Sequence, residues 1–321
     1  GETDRVIEYA DREIWALGAR LGLDLTMQTT LHTTFMAALR VNAARIQECI
    51  EAPMVESVPE SRELFALLGR TMIANVNLGG IGHLARALQF MARGGNVLLL
   101  SNHTSGADTL VLEHVVNTHF AEATRSWLYM AGHVVNLFLL PVACSSGVNR
   151  VQIFSSKYCA LADAEAQSRM RRNNARALLS LAPHAKKGGI CVVLYPEGGR
   201  GNGALLPGDP KVMKIAQILS VASPHGLMIL PSYVEATEIL PVVREDNEFD
   251  RFVEYGQRGN ATLRFGSGAM WSDLQPDPYS VQETASCRGI DPGVALKQLL
   301  HRRCMGMIAA MAPEHARGPY A

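Results

Sequence analysis

The sequence has no surplus of charge. Thirty Lys and Arg residues face thirty Asp and Glu across 321 residues, for a net charge of +0 at pH 7. A protein whose whole surface binds nucleic acid carries a basic excess, so the composition argues against that class, although a local basic patch stays compatible with the total. Cysteine is sparse and scattered. Cys49, Cys144, Cys159, Cys191, Cys287 and Cys304 form no CxxC pair, which excludes a disulfide scaffold or a zinc module and fits reduced thiols. Lysine is scarce too, with six residues against twenty-four arginines. That imbalance reads first as a compositional bias and only weakly as a demand for guanidinium chemistry.

Several motifs are missing. GxxxxGK[ST] and GxGxxG are both absent, so neither a Walker-type phosphate loop nor a dinucleotide fingerprint is present, and the lack of GxSxG speaks against a serine hydrolase. His114 and His119 lie five apart, off one helical face, with no carboxylate at ligand spacing, so no metal site is expected. The uncharged stretch from Trp127 to Asn149 is long enough for a bilayer of ~20 residues. It contains His133, Asn136, Pro141, Ser145 and Ser146, however, which a spanning helix would leave unsatisfied. It reads instead as a buried strand (WLYMAG), a short helix and a loop. The opening residues GETDRVIEYADRE are charged, so no secretory signal is expected in them, while a removed targeting peptide stays compatible.

What is present is a folding sequence, 48% apolar and 19% charged, at a length that suits about two domains of roughly 150 residues or one large one. The first part is helical in pattern. Ile7, Ala10, Ile14, Leu17 and Leu21 recur on one face, as do Phe35, Leu39, Ala43, Ile46 and Ile50. Ser57-Val-Pro-Glu60 has the capping-box form ahead of Leu64, Leu67, Leu68 and Ile73, and a further helix from His83 ends at Gly94-Gly95. Beyond Gly95 short apolar runs (97–100, 127–130, 151–154, 190–194, 227–230, 262–265) alternate with helical segments (109–120, 161–181, 212–222), and a last amphipathic helix covers 292–311. The expected fold is α/β: a mixed, partly parallel sheet flanked by helices, preceded by a small N-terminal helical bundle, with domains at 1–75 and 76–321.

Two segments carry candidate chemistry. SNHTSGAD follows the strand 97–100, so His103 leaves the strand in a loop and Asp108 stands five positions on, in the first turn of a helix. A histidine oriented by a carboxylate serves as a general base near neutral pH; a first-turn carboxylate favoured by the helix dipole accounts for Asp108 equally well. The second segment, ICVVLYPEGGRGNG, runs a strand into Glu197, Gly198, Gly199 and Arg200. Its glycines let backbone approach a ligand and Arg200 offers a planar fork for a phosphate; the plainer reading is a strand-end turn with a Glu197–Arg200 ion pair.

HTSGAD and YPEGGR together, with SSKY between them, resemble the glycerolipid acyltransferase superfamily, whose signature is HxxxxD followed about a hundred residues later by a PEGTR or PSGGR block. Within it the likeness is greatest to the soluble, plastid-type glycerol-3-phosphate acyltransferases, which place a helical domain before the α/β domain. GVNRVQIFSSKY, LYPEGGRGN and HGLMILPSYVEATEILP occupy the positions of that family's later blocks.

The resemblance implies transfer of a fatty acyl group from a thioester to the sn-1 hydroxyl of glycerol 3-phosphate. His103 would deprotonate the hydroxyl and Asp108 fix the imidazole tautomer, with no covalent acyl-enzyme, no metal and no cofactor beyond acyl carrier protein or CoA thioester as co-substrate. Where the family holds the phosphate with a Lys-His pair and two arginines, this sequence has Lys157 and Tyr158, then Arg200 and Asn202. Two cationic donors are thus replaced by neutral ones, at ~1.5–3 kcal/mol for a charged hydrogen bond against about 1 for a neutral one. Glu197 matches the PEGTR form and not PSGGR, making the chain a hybrid. The substitutions leave open a different small alcohol, amine or lysophospholipid acceptor, and a non-catalytic carrier-binding module that kept the fold is the alternative outside enzymology. Arg169, Arg171, Arg172 and Arg176, with Lys186 and Lys187, suit an acidic carrier protein or simply a solvated helix face, and residues 138–142 a wall of an acyl tunnel or ordinary core. The expected setting is soluble, in a plastid stroma or bacterial cytoplasm, with no nucleic-acid partner and no integral membrane span.

Overall fold

Asn96–Ser101 (β3) reads NVLLLS, and all six residues are buried. Such a strand has no solvent face, which is the pattern of a parallel strand covered on both sides. The computed structural model describes residues 2–45, 52–132, 147–154, 159–160, 162–198, 203–241 and 255–320, and the described chain falls into two units. Unit 1 gathers residues 1–77, 105–177 and 235–262; unit 2 gathers 78–104, 178–234 and 263–321.

In unit 2, β3 pairs in parallel with Cys191–Leu194 (β6), in the register Val97↔Cys191 to Leu100↔Leu194. It also pairs in parallel with Leu227–Glu235 (β7), from Asn96↔Leu227 to Ser101↔Ser232. Ala269–Met270 (β9) adds an antiparallel edge to β7. The start of β3 is pinned by a buried side chain. Asn96 donates through Nδ2 to the Ala185 carbonyl (2.7 Å) and to Ser223 Oγ (2.6 Å), and its Oδ1 accepts from the Ile190 amide (3.2 Å). Buried amide groups of this kind are tolerated only when paired, and here the pairing ties together the segments that enter all three parallel strands. Helices Ile81–Ala92 (α4) and Pro292–Ala309 (α9) pack against β3, and Met213–Ala222 (α7) packs on α9. Pro278–Arg288 (α8), absent from the sequence reading, also lies on α9.

In unit 1, Glu2–Arg20 (α1) packs on Leu25–Ala44 (α2), α2 on Pro59–Met72 (α3), and α3 on Asp108–His119 (α5). Asn42, buried in α2, donates to Ser61 Oγ (2.8 Å) and stitches α2 to α3. Trp127–Gly132 (β4) pairs in parallel with Asn149–Ile153 (β5), and the two-residue Met54–Val55 (β1) pairs antiparallel with β5. The protein is therefore α/β, with a mixed, partly parallel sheet flanked by helices and helices ahead of it in the chain. The helix Ala164–Lys187 (α6) and the strands Ile73–Gly79 (β2), β7 at its last residue and Gly259–Phe265 (β8) carry the chain across unit boundaries.

Three local expectations fail. The helical pattern that included Ile73 stops at Met72, and β2 begins there: Ile73, Val76 and the flanking Asn75 and Asn77 are poor helix formers, and Ile and Val favour extended backbone. Nor does Ser57 cap α3. Val58 occupies the N-cap with no side-chain bond, and Pro59 follows at the first helical position, where its missing N–H removes one donor needing a cap. The Ser57 hydroxyl instead donates to Asn149 Oδ1 (3.0 Å) and accepts from Arg62 Nε (2.6 Å), joining the α3 entry to β5. The helix expected to end near Leu181 continues through Pro183 to Lys187.

Candidate active site

The loop from β3 to α5 is held by its own polar residues. Asn102 sits one step past the β3–β7 ladder and continues it with its side chain: Nδ2 donates to the Val234 carbonyl and Oδ1 accepts from the Val234 amide, both at 2.7 Å. Ser105 Oγ donates to the Leu240 carbonyl (2.7 Å) and accepts from the Ala107 amide (3.1 Å). Among residues 101–108 only His103 and Gly106 are not buried. A clamped loop thus presents one imidazole to the outside, as a reactive side chain on a rigid support should be presented.

Two groups fix His103 within unit 2. Its ring stacks on Tyr195, with centroids 4.4 Å apart and planes 23° apart, and its backbone N–H donates to Glu197 Oε2 at 2.5 Å. Both partners belong to the segment after β6. Because β3 and β6 run parallel and in register, the loops leaving their C-terminal ends must emerge together, although His103 and Glu197 are 94 positions apart. In open parallel sheets that end is where ligands bind.

The β6 exit is a four-residue turn, Tyr195-Pro196-Glu197-Gly198, closed by the Gly198 amide donating to the Tyr195 carbonyl (3.2 Å). Proline second and glycine fourth suit such a turn. Gly198 has φ +66°, and a Cβ there would meet nothing within 4 Å, so the torsion and not crowding asks for glycine. Glu197 is 8% exposed. Its second oxygen, Oε1, accepts from the Leu206 amide at 2.7 Å, so one carboxylate joins two separate loops through backbone donors.

Asp108 opens α5 and is fully buried, with Oδ2 accepting from the Ser105 amide at 2.9 Å. This is the first-turn carboxylate geometry, and it sets the turn that carries the chain from the loop into the helix. The structure thus brings His103, Glu197 and Gly198 together, and places Asp108 at the helix end of the same loop. Lys157, Tyr158, Gly199, Arg200 and Asn202 lie outside the described residues, as does the 138–142 tunnel candidate. Sequence reasoning missed Asn102, Ser105 and Tyr195. The signal for the first two was the run of short polar residues directly at a strand end, where side chains replace lost ladder bonds. Tyr195 gave none, since an aromatic at the end of an apolar strand reads as core. Among the described residues, no three His, Cys, Asp or Glu side chains gather as ligands for a metal ion.

Residues 83–242, which span the His103 loop and the Glu197 turn, match the Acyltransferase family model. This chain carries an acyltransferase domain. It is similar to glycerol-3-phosphate acyltransferases described as chloroplastic. That of Phaseolus vulgaris is 31% identical over 111 residues, 34% of this chain and 24% of the relative. That of Pisum sativum is 26% identical over 184 residues, 54% and 40% respectively. That of Spinacia oleracea is 27% identical over 135 residues, 42% and 28%. The chain spans at most 40% of the length of these relatives. Among the described residues, no helix of this acyltransferase domain is long and apolar enough to cross a membrane.

Proposed function

We propose that this acyltransferase domain transfers a fatty acyl group from an acyl thioester to the sn-1 hydroxyl of glycerol 3-phosphate, with His103 as general base. The observation that carries the reading is the convergence of the two sequence blocks on one residue, the His103 ring being stacked on Tyr195 and its backbone N–H bound by Glu197. In the proposed reaction His103 takes the hydroxyl proton as the oxygen attacks the thioester carbonyl. The C–O bond forms, the C–S bond breaks, and the departing thiolate recovers the proton from the imidazolium. Asp108 holds the tautomer and offsets the imidazolium charge. Such a base contributes ~10²–10⁴-fold, so the remaining acceleration comes from holding both substrates.

Lys157 and Arg200 supply the charge for the acceptor phosphate, Tyr158 and Asn202 neutral hydrogen bonds, and Gly198 and Gly199 backbone that the ligand approaches closely. The donor is acyl carrier protein or CoA thioester. The names of the relatives favour a plastid as the compartment. A second reading, carried by Tyr158 and Asn202 in place of cations, is a different small acceptor.

An acceptor series of glycerol 3-phosphate, glycerol and a lysophospholipid, followed by thiol release from an acyl thioester, tests the assignment. Loss of one charged phosphate contact is worth about 10–100-fold, so kcat/KM for glycerol 3-phosphate should exceed that for glycerol by at least about tenfold. Equal rates would move the assignment to the second reading. Thioester binding without thiol release for any acceptor would make the domain a carrier-binding module.

A further inference from the structure

Glu197 cannot hold His103 unless it is itself held, and its second support leads to a distant part of the chain. Leu206, which donates to Glu197 Oε1, belongs to a loop that folds back on the Tyr195–Gly198 turn, with the Asp209 amide donating to the Pro196 carbonyl (3.2 Å). The neighbours of Leu206 are both bound by the segment that follows α9. The Leu205 amide donates to the Ala316 carbonyl at 2.9 Å. The Tyr320 hydroxyl donates to the Pro207 carbonyl at 2.5 Å, 113 positions away in sequence.

The segment is anchored in turn. Ala312 and Ala316 are buried against Tyr233 of β7, with Met311 packed beside them, and Arg264 Nη1 donates to the Met311 carbonyl (2.9 Å). Tyr233 is the neighbour of Val234, which clamps Asn102 at the other side of His103. One element therefore rests on the strand that fixes the His103 loop from β7 and reaches the loop that fixes it from β6. Gly318 makes the close approach possible: its φ is +54°, and a Cβ there would stand 2.1 Å from the Leu205 carbonyl oxygen.

We propose that residues 311–320 form a positioning brace for His103, in which Ala316 and Tyr320 fix residues 205–207, those residues fix Glu197, and Glu197 fixes the His103 backbone. Tyr320 is a positioning residue that acts through two others. Burial and the nearby Glu197 charge raise the Tyr320 hydroxyl above its ordinary range, with Arg302 opposing, so it keeps its proton and remains a donor at neutral pH. The activity consequence rests on the reading of His103 as the base; the structural consequence does not.

The test uses Tyr320→Phe and Gly318→Ala in the full chain, with amide hydrogen exchange at Leu205, Leu206 and His103 beside steady-state kinetics. Tyr320→Phe removes one net hydrogen bond, so exchange at Leu206 and His103 should quicken about three- to tenfold while β3 interior amides and the melting temperature stay put. kcat should fall by a similar factor with KM for both substrates unchanged, a split that loss of general stability would not produce. Gly318→Ala should move the same readouts further, with Leu205 included. Unchanged exchange at Leu206 and His103 in Tyr320→Phe overturns the brace whatever the kinetics show. Quickened exchange with unchanged kcat keeps the brace and overturns the role of His103 geometry in turnover. A His103→Ala variant that retains activity overturns the base reading and leaves the exchange result to decide the brace.

Discussion

Two glutamates in this molecule are equally hidden, each 8% exposed, and are put to different use. Glu113, on α5 of unit 1, is surrounded by side chains: the Tyr129 hydroxyl donates to Oε1 at 2.6 Å and Asn117 Nδ2 to Oε2 at 3.1 Å. Glu197, in unit 2, is met by the backbone amides of His103 and Leu206. Burial pushes the Glu113 carboxyl from 4.5 up to about 7, and its neutral hydrogen bonds to Tyr129, Thr124 and Asn117, with the more distant charge of Arg62, only partly offset that. A carboxylate held by side chains belongs to the packing of one helix on one strand. One held by backbone amides joins loops, and whatever those loops carry is positioned by it. The proposed site sits at the second kind, with His103 partly exposed beside the buried Asn102, Thr104 and Glu197.

The largest effect of breaking this contrast should come from Glu197→Ala. Two part-buried amides lose their acceptor, at no more than about 1–3 kcal/mol each, and the His103 loop loses its register with the β6 exit. Activity should fall about 10²-fold, and more than the loss of stability accounts for at temperatures where the variant is still folded. Glu197→Gln, which keeps one oxygen acceptor, should recover part of both; equal activity in all three proteins would deny Glu197 any positioning role.

The next effect concerns Glu113 and is a matter of pH. Its folded pKa is raised, so the stability linked to its proton is fully present below 4.5 and is lost as pH rises towards about 7. At 1.36 kcal/mol per unit this amounts to at most about 3 kcal/mol. Denaturant titrations of Glu113→Gln should show a flatter pH dependence across that window and higher stability than the parent at pH 8. Parallel profiles would mean that Glu113 does not carry the effect. Smallest of all, Ser57→Ala should cost under about 1 kcal/mol and be felt as loss of the contacts to Asn149 and Arg62, not as fraying of α3. Fraying seen by helix-specific hydrogen exchange would restore Ser57 as a cap.

Much of the fold was legible because its strands announce themselves. VLLL and CVVL, bounded by loop residues, can only be short buried strands, and helices between such strands imply parallel pairing. The two blocks of the site were legible for the same reason, as the polar residues directly after those strands. What escaped lies at longer range. Ile73 continues a helical stripe in sequence but starts β2, because the poor helix propensity of Ile73, Asn75, Val76 and Asn77 leaves strand pairing to decide. Ser57 has the letters of a cap, yet its hydroxyl is claimed by a residue 92 positions away. Tyr195 and Tyr320 look like ordinary aromatics until the strand register brings one under His103 and the packing of Ala312 and Ala316 brings the other to Pro207. Periodicity cannot show contacts of this kind, because neither partner alters the local pattern of the other.

The central claim is that His103 is the base of an acyl transfer, and His103→Ala measures it directly. Thiol release from an acyl thioester should be recorded with and without glycerol 3-phosphate, beside the melting temperature of the same preparation. The account predicts a melting temperature close to the parent's and acceptor-dependent thiol release reduced by at least about 10²-fold, the low end of what a general base contributes. Near-parental, acceptor-dependent release from a folded His103→Ala protein would contradict it.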